Sequence, residues 1–270
     1  MKITIADKLG LILLIYKQIG KLPLKFIPQV LFKPADATRY DEFLYLLKYI
    51  KANKIYFNKV LDVSSPFILS YILSENASVL KTDINPAESH YIKPSSNLKF
   101  ELTDGTRLPY QDNSFDLVYS ISVVEHIHPG YLLAMNEMIR VCKSGGLLYI
   151  TFPLSKNYTE EWIENSIYSN QHTSEGRTFF QYRFDKIHYE KILAGLKGIS
   201  ILQESIYWEN KDGQYDAMVK DIRSKWPLFL NPLKNVFLHF YYGFAMLQSK
   251  PTDFINEKSF GNVSLILKKI

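Results

Sequence analysis

The feature that most constrains the fold is an apolar run, FDLVYSI, from Phe115 to Ile121. Apolar side chains occupy odd and even positions alike, which is typical of a strand buried on both faces of a parallel sheet. Asp112-Asn113-Ser114 provides turn residues before the run. Pro129-Gly130 then opens a helix, and a second apolar run at 147–150 follows it. The segment therefore predicts a strand, a helix and another strand, connected as in an α/β fold.

Shorter apolar runs recur along the chain. They predict strands at 59–63, 79–82, 98–103, 199–208 and 262–268, with helical patterns between several of them. Because strands that alternate with helices are joined by crossover connections, this pattern predicts a doubly wound α/β domain. We assign residues 57–270 to this domain.

Three regions lie outside the strand and helix pattern. Residues 1–56 predict an N-terminal helical segment. Residues 153–183 are polar and aromatic without a clear period, which predicts an irregular lid over the carboxyl ends of the strands. Residues 211–258 predict a helical cap insertion. We expect the N-terminal segment and the stretch from Trp226 to Leu247 to lie on the crevice side and restrict access to it.

The distribution of charge limits the class of partner. The chain has 32 Lys and Arg residues against 27 Asp and Glu residues, and residues 1–60 hold eleven of the former and four of the latter. This basic, apolar-rich segment predicts contact with an anionic membrane surface or a phosphorylated substrate, although a solvated lysine fringe has the same pattern. The excess is modest and no nucleic-acid module accompanies it, so nucleic acid is disfavoured as a partner.

Cysteine content and hydropathy indicate the compartment. Cys142 is the single cysteine, which excludes disulfide frameworks within one chain and favours a reducing compartment. The apolar stretch at 9–15 is too short to span a bilayer, and no small-residue cleavage site follows it. We therefore predict a cytoplasmic protein with a peripheral membrane contact as an added option.

Three carboxylates mark the ends of three predicted strands. Asp62 closes the first strand, Asp83 the second and Asp104 the third. Because parallel strands present their carboxyl ends at one edge of the sheet, these side chains should lie side by side. A carboxylate about twenty residues after the first turn suits ribose hydroxyls, and another suits an adenine amino group. Each alone could be a helix N-cap or a loop carboxylate, but together they predict a nucleoside site.

Five motifs carry a resemblance to a known family. They are VLDV at Val60, TDINP at Thr82, LTDGTRLPYQDNSFDLVYS at Leu102, SVVEHI at Ser122 and EMIRVCKSGGLLYITFP at Glu137. In this order they resemble the core of class I S-adenosylmethionine-dependent methyltransferases, particularly the small-molecule type. The resemblance implies a Rossmann-like methyltransferase fold, with a mostly parallel seven-stranded sheet in which one strand, NVSLILKK, is antiparallel.

The resemblance also implies S-adenosylmethionine as the cofactor. Asp83 would bind the ribose hydroxyls, Asp104 would contact the adenine, and Ser120 would lie near the methionine portion. The full set of implied cofactor residues is Asp62, Ser64, Ser65, Asp83, Ile84, Asp104, Gly105, Thr106 and Ser120.

The first loop departs from the family pattern. Three glycines usually occupy positions that hold Ser64, Pro66 and Ile68 in this chain. Glycine lets the backbone approach a ligand closely, whereas proline removes a donor. The departure keeps open the alternative of a non-catalytic methyltransferase-like binding or scaffold protein.

His126 is the predicted general base, because it follows the fourth strand and a neutral imidazole accepts a proton near physiological pH. The alternative is a histidine that packs against the following helix. The spacing of Glu125, His126 and His128 does not predict a metal site. The predicted reaction is methyl transfer to a small-molecule acceptor, such as a sugar, a lipid-linked glycan or a secondary metabolite. The chain has no GxGxxG turn, which disfavours a nicotinamide oxidoreductase.

Overall fold

The computed structural model describes residues 2–164, 172–224, 230–246, 252–254 and 258–270. The strands are β1 (Lys59–Val63), β2 (Ser78–Asp83), β3 (Leu98–Leu102), β4 (Phe115–Ile121), β5 (Cys142–Leu154), β6 (Thr159–Ile163), β7 (Thr173–Ser174), β8 (Arg177–Arg183), β9 (Ile199–Trp208) and β10 (Gly261–Lys269). The α-helices are α1 (Ile5–Lys17), α2 (Ile27–Phe32), α3 (Arg39–Ala52), α4 (Ile68–Leu73), α5 (Tyr131–Val141), α6 (Lys186–Gly195), α7 (Gln214–Arg223) and α8 (Asn231–Ala245).

A seven-stranded sheet with the order β3-β2-β1-β4-β5-β10-β9 forms the centre of the molecule. β1 pairs in parallel with β2 and β4, and the pairs β2–β3 and β4–β5 are also parallel. β10 is antiparallel to both of its neighbours, β5 and β9. The predicted doubly wound, mostly parallel sheet with one antiparallel strand is thereby confirmed. The chain order reverses between β1 and β4, which is where open α/β sheets form a ligand crevice.

The N-terminal helices cover one face of this sheet. The ring of Tyr45 on α3 lies 6.3 Å from the rings of Tyr149 on β5 and Tyr207 on β9. These residues belong to one buried hydrophobic cluster that also includes Leu117 of β4. The N-terminal segment and the sheet therefore share a core, and the boundary proposed at residue 57 stays a prediction.

The predicted irregular lid is wrong for the described part of residues 153–183. This region forms a three-stranded antiparallel sheet with the order β6-β8-β7. Its central strand β8 buries residues from both faces, among them Phe179, Gln181 and Tyr182. A strand covered on both faces lacks the alternation of apolar and polar residues that marks a strand in sequence, so no period was visible. Residues 165–171 lie outside the described part.

The cap insertion contributes α7 and α8. α8 packs tightly on the N-terminal segment, since a Cβ added to Gly243 would lie only 2.7 Å from the ring of Tyr40. The buried ammonium of Lys8 donates to the Gly243 carbonyl at 2.7 Å and pairs with Asp41 at 3.0 Å. Of the stretch from Trp226 to Leu247, residues 226–229 and 247 lie outside the described residues. Among the helices that the structure describes, none combines the length and apolar character that crossing a bilayer requires.

Candidate active site

The residues that follow β1, β2 and β3 lie side by side; we call them the first edge. Ser64 donates its backbone N–H to the Thr82 carbonyl at 2.9 Å, and Thr103 donates to the Asp83 carbonyl at 2.9 Å. These bonds continue the parallel ladder by one residue past the strands. The loop at 64–68, Asp83 and Asp104 are therefore neighbours at one edge of the sheet, as the sequence predicted.

Asp62 lies beneath this edge rather than on its surface. Its carboxylate is fully buried and accepts hydrogen bonds from Ser65 N at 2.9 Å, from the Tyr119 hydroxyl at 2.9 Å and from the Ser70 hydroxyl. The ammonium of Lys81, which is also fully buried, lies 3.6 Å from Asp62 Oδ2 and donates to the Ser65 carbonyl. Since donors surround the carboxylate, Asp62 supports the first loop from within the protein.

The first loop keeps a glycine-type backbone despite its sequence. Ser64 has a φ of +58°, in the left-handed region that favours glycine. Ser65 Oγ accepts the Ile121 N–H at 3.0 Å, which ties the loop to the end of β4. The buried Ser120 hydroxyl donates to the Val63 carbonyl at 3.0 Å, so it is used inside the sheet. Serine side chains thus fasten this loop between β1 and β4.

Two carboxyl groups near the first edge, those of Asp83 and Glu88, have pKa values raised by burial. Asp83 is largely buried and accepts the Asn85 N–H at 2.8 Å, and burial raises the pKa of its carboxyl group. Glu88, in the 3₁₀ turn Pro86–Tyr91, also has a pKa raised by burial, and the positive charge of Lys81 opposes both shifts. Burial thus favours the protonated, neutral form of Asp83 and Glu88, whereas the positive charge of Lys81 favours their ionised form.

Asp104 is exposed and belongs to a tight turn. It accepts hydrogen bonds from Thr106 N and Thr106 Oγ1, both at 2.8 Å. A Cβ added to the next residue, Gly105, would lie 3.2 Å from Val63 Cγ1, so glycine lets this turn sit against β1. Ile84 is 39% exposed at the same edge. The carboxylate oxygens of this edge can accept hydrogen bonds from the hydroxyl and amino groups of an adenosine. The exposed side chain of Ile84 lies beside them.

The space beside the first loop is small. Pro66, Phe67 and Ile68 border a cavity of about 60 Å³, closed on its other side by the stretch from residue 29 to residue 43. Sites for small organic ligands usually measure about 300–1,000 Å³. Residues 29–43 of the N-terminal segment therefore lie beside Pro66, whereas the expectation that this segment and the stretch from Trp226 to Leu247 restrict access to the crevice stays a prediction. α8 approaches the same segment, with His239 Nδ1 3.9 Å from Asp36 Oδ1.

A second polar group of residues lies where β4 and β5 end and α3 begins; we call it the second edge. Its centre is the buried carboxylate of Glu42. Glu42 Oε1 accepts hydrogen bonds from the Ser122 hydroxyl at 2.7 Å, the Thr151 hydroxyl at 2.5 Å and Asn262 Nδ2 at 3.0 Å. Arg39 donates to Glu42 Oε2 and, at 2.5 Å, to the Ser122 hydroxyl. The first turn of α3 is thereby fixed to the carboxyl end of the sheet.

Glu125 differs from Glu42, although both are buried. It lies in the 3₁₀ turn Val124–His126 that follows β4, and its Oε2 has no hydrogen-bond partner within the part of the chain that the structure describes. Burial raises the pKa of Glu125 to about 8; the charge of Arg39 opposes this shift and that of Glu42 adds to it. The Nε of Arg39 is likewise buried without a partner in the described residues. The second edge thus contains a buried acceptor and a buried donor that no described residue satisfies.

His126, the predicted general base, lies under β8. Its Nδ1 is hydrogen-bonded to the Phe180 carbonyl, so Nδ1 carries the hydrogen and donates it. Burial lowers the pKa of His126 to about 4, which makes the ring neutral and weakly basic at pH 7. Its Nε2 lies 3.9 Å from Glu125 Oε1. The catalytic role of His126 stays a prediction, but the geometry makes Glu125 the stronger candidate for holding a proton.

Sequence reasoning missed four charged residues of the two edges: Arg39, Glu42, Lys81 and Glu88. Lys81 was detectable as a lysine in the middle of a predicted strand, SVLKTD, where it directly follows two apolar residues. Arg39 and Glu42 form an i, i+3 pair in the first turn of α3, which in sequence looks like an ordinary exposed pair. Their contacts with β4, β5 and β10 come from tertiary packing.

Comparison with known proteins agrees with this architecture. Residues 63–150 match a family model described as a methyltransferase domain. The chain is 31% identical over 145 residues to an uncharacterized protein of Methanocaldococcus jannaschii, and this match covers 51% of the chain and 58% of that protein. It is 34% identical over 83 residues to a sterol 24-C-methyltransferase of Gibberella zeae, over 31% of the chain and 19% of that enzyme. The chain thus matches less than two thirds of the length of these relatives.

Solved structures show the same fold at low sequence identity. An S-adenosylmethionine-dependent methyltransferase from Clostridium acetobutylicum superposes with a TM-score of 0.50 at 12% identity, covering 87% of this chain and 92% of that one. A coclaurine N-methyltransferase bound to N-methylheliamine and SAH gives a TM-score of 0.50 at 16% identity, covering 84% and 70%. At such identities the likeness concerns the fold alone. Residues 63–150 therefore match the methyltransferase-domain family, and the sheet around them has the fold of the solved methyltransferases.

Proposed function

We propose that this protein transfers a methyl group from S-adenosylmethionine to a small-molecule acceptor. The observation that carries the proposal is the first edge, where Asp83 and Asp104 flank a loop whose Ser64 keeps the φ of a glycine. Two carboxylates beside such a loop are suited to the hydroxyl and amino groups of an adenosine. The sulfonium of the cofactor supplies an electrophilic methyl group when it is bound.

Residues of the first edge would hold the cofactor. Asp83 would accept hydrogen bonds from the ribose hydroxyls, and Asp104 would lie at the adenine end. Lys81 and Asp62 would act from below by holding the Ser65 backbone in place. Positioning of this kind is the main contribution of a protein to group transfer.

Glu125 would take the proton that the methyl acceptor loses. Its buried Oε2 has no hydrogen-bond partner among the described residues, and its pKa of about 8 lies close enough to pH 7 for the ionised fraction of Glu125 to take a proton. A hydroxyl or amino group of the acceptor would donate to this oxygen, while Arg39 would stabilise the carboxylate that remains when the proton leaves. The acceptor would accordingly be a molecule with a hydroxyl or amino group, which includes sugars, lipid-linked glycans and secondary metabolites.

Calorimetric titration with S-adenosylmethionine tests the proposal. We expect the wild-type protein to bind, and the Asp83→Asn variant to bind roughly 10- to 100-fold more weakly, because it loses hydrogen bonds to a charged acceptor. Asp112→Asn is the control, since this exposed carboxylate pairs with Arg140 away from the first edge. If the wild-type protein gives no heat at millimolar cofactor, the proposal fails and a non-catalytic binding protein remains. Equal affinity in the Asp83 variant would contradict the assigned ribose contact.

A further inference from the structure

The outer face of α1 is apolar although it is open to solvent. Ile5, Leu9 and Leu13 are 64%, 52% and 62% exposed, and their spacing of four residues places them in one stripe along the helix. The opposite face of α1 buries Leu11, Ile12 and Ile15 in the core. A helix that is apolar on both faces is unusual at a protein surface, where the outer face is normally polar.

The apolar surface continues onto the neighbouring segment. Tyr16 follows the exposed stripe of α1, and its hydroxyl donates to the Leu31 carbonyl of α2 at 2.9 Å. Leu31 and Phe32 are 42% and 61% exposed, and Leu24, just before α2, is 83% exposed. We call these six exposed side chains the α1–α2 face: Ile5, Leu9, Leu13, Leu24, Leu31 and Phe32. Exposed apolar side chains on two neighbouring helices, which Tyr16 links, are typical of a surface that another molecule covers.

Positive charge is concentrated in the same segment. Residues 1–60 carry eleven Lys and Arg residues against four Asp and Glu residues, a difference of +7, whereas the remaining residues sum to −2 because the whole chain has +5. Lys2 and Lys17 are exposed near the two ends of α1, and Lys25 is exposed beside Leu24. Exposed lysines therefore border the apolar face on several sides.

We infer that the α1–α2 face binds the surface of a membrane that contains anionic lipid. The apolar side chains would enter the boundary between headgroups and acyl chains while the lysines contact the headgroups. α1 has 13 residues and a length of about 20 Å, shorter than the roughly 30 Å hydrocarbon core, so it would lie in the plane of the membrane. A second copy of the chain suits this face less well, because pairing like faces would bring the same lysines together.

Vesicle sedimentation tests this inference without any methyl acceptor. The full chain is mixed with vesicles of phosphatidylcholine alone or with phosphatidylserine added, at low and at high salt. We expect binding to require phosphatidylserine and to weaken at high salt, because the attraction between lysines and lipid is screened. Lys17→Ala and Lys25→Ala should each weaken binding about fivefold.

Replacing apolar side chains with polar ones distinguishes binding by the α1–α2 face from nonspecific adsorption to vesicles. The double variant Leu9→Gln/Leu13→Gln should partition into vesicles at least about tenfold more weakly, because two leucines no longer leave water. Leu133→Gln is the matched control, since Leu133 is a helical leucine of α5 with a similar exposure of 58%. Circular dichroism verifies that each variant is folded.

Three outcomes would overturn the inference. The first is equal binding to vesicles with and without phosphatidylserine. The second is equal loss of binding in the Leu133 control and in the double variant. The third is no sedimentation together with a dimer, seen by light scattering, that the double variant abolishes, which would make this face a contact between copies. Because the assay measures lipid binding alone, these outcomes are independent of whether the protein binds S-adenosylmethionine.

Discussion

Both edges of the crevice contain a buried carboxylate, but the two carboxylates differ in how fully their oxygens are hydrogen-bonded. At the first edge, Asp62 receives hydrogen bonds from Ser65 N, Tyr119 and Ser70, and the buried ammonium of Lys81 lies nearby. At the second edge, Glu125 is just as buried, yet its Oε2 has no partner among the described residues and its pKa is raised to about 8. One carboxylate is satisfied within the protein, whereas the other has an oxygen that no described residue satisfies.

The difference shows how a loop without glycine can keep its shape. The Asp62–Lys81 pair and the serine hydroxyls hold the backbone of Ser64 and Ser65 from below. A network in which the charged groups are satisfied fixes one conformation, while an unsatisfied group costs free energy that a bound molecule can recover. The second edge therefore has the features expected of a reacting site, and the first has those of a support for a binding site.

Removing the ammonium at the first edge should have the largest effect on stability. Lys81→Met leaves Asp62 buried without its counter-charge, and we expect a loss of about 3–5 kcal/mol in the free energy of unfolding, measured by urea denaturation. Lys99→Met on β3 is the control, because Lys99 is exposed and should change stability by less than about 0.5 kcal/mol. Similar small losses in both variants would mean that the Asp62 network does not support the loop.

At the second edge, Glu125→Gln should remove a pH dependence. Because the pKa of Glu125 is raised from 4.5 to about 8, the folded protein keeps a proton that the unfolded chain releases. Between these values the wild-type protein should lose stability as pH rises, by up to about 1.4 kcal/mol per pH unit, and above pH 8 this dependence should end. The glutamine variant should lack the slope, so its stability relative to wild type increases with pH.

Thermal unfolding from pH 5 to pH 8 measures this slope. Glu190→Gln, at an exposed position of α6, is the matched control and should keep the wild-type slope. If Glu125→Gln also keeps it, then the pKa of Glu125 is not raised in the folded protein, and the assignment that rests on a pKa near 8 is contradicted.

The smallest expected effect concerns the first loop itself. Ser64→Gly should raise the free energy of unfolding by about 0.5–1 kcal/mol, because glycine adopts a φ of +58° without strain. The greater conformational entropy of glycine in the unfolded chain offsets part of this gain. Ser96→Gly is the comparison, since Ser96 is an exposed loop serine without a positive φ, and it should lose stability. Chemical denaturation measures whether each substitution raises or lowers the free energy of unfolding. A loss in both variants would show that the Ser64 side chain contributes more than its backbone strain costs.

Much of the sheet could be predicted from local pattern. The runs at 59–63, 115–121 and 199–208 coincide with β1, β4 and β9. β1 and β4 lie inside the sheet, where a strand buried on both faces must be apolar along most of its length. The lid sheet could not be predicted, since both faces of β8 are partly covered by groups from distant parts of the chain. Asp185 was visible as a helix N-cap, because it accepts the His188 N–H from only three residues away.

The fold class and the positions of the carboxylates at the ends of β1, β2 and β3 follow from local sequence, because both depend on residues that are close together in the chain. Only packing in three dimensions determines which carboxylate receives hydrogen bonds and which keeps an unsatisfied oxygen. The side-chain donors to Asp62 come from α4 and β4, its counter-charge comes from β2, and the charges that act on Glu125 come from α3. Desolvation and hydrogen bonding depend on these distant neighbours, so the chemical state of a buried carboxylate follows from packing and not from its place in a motif.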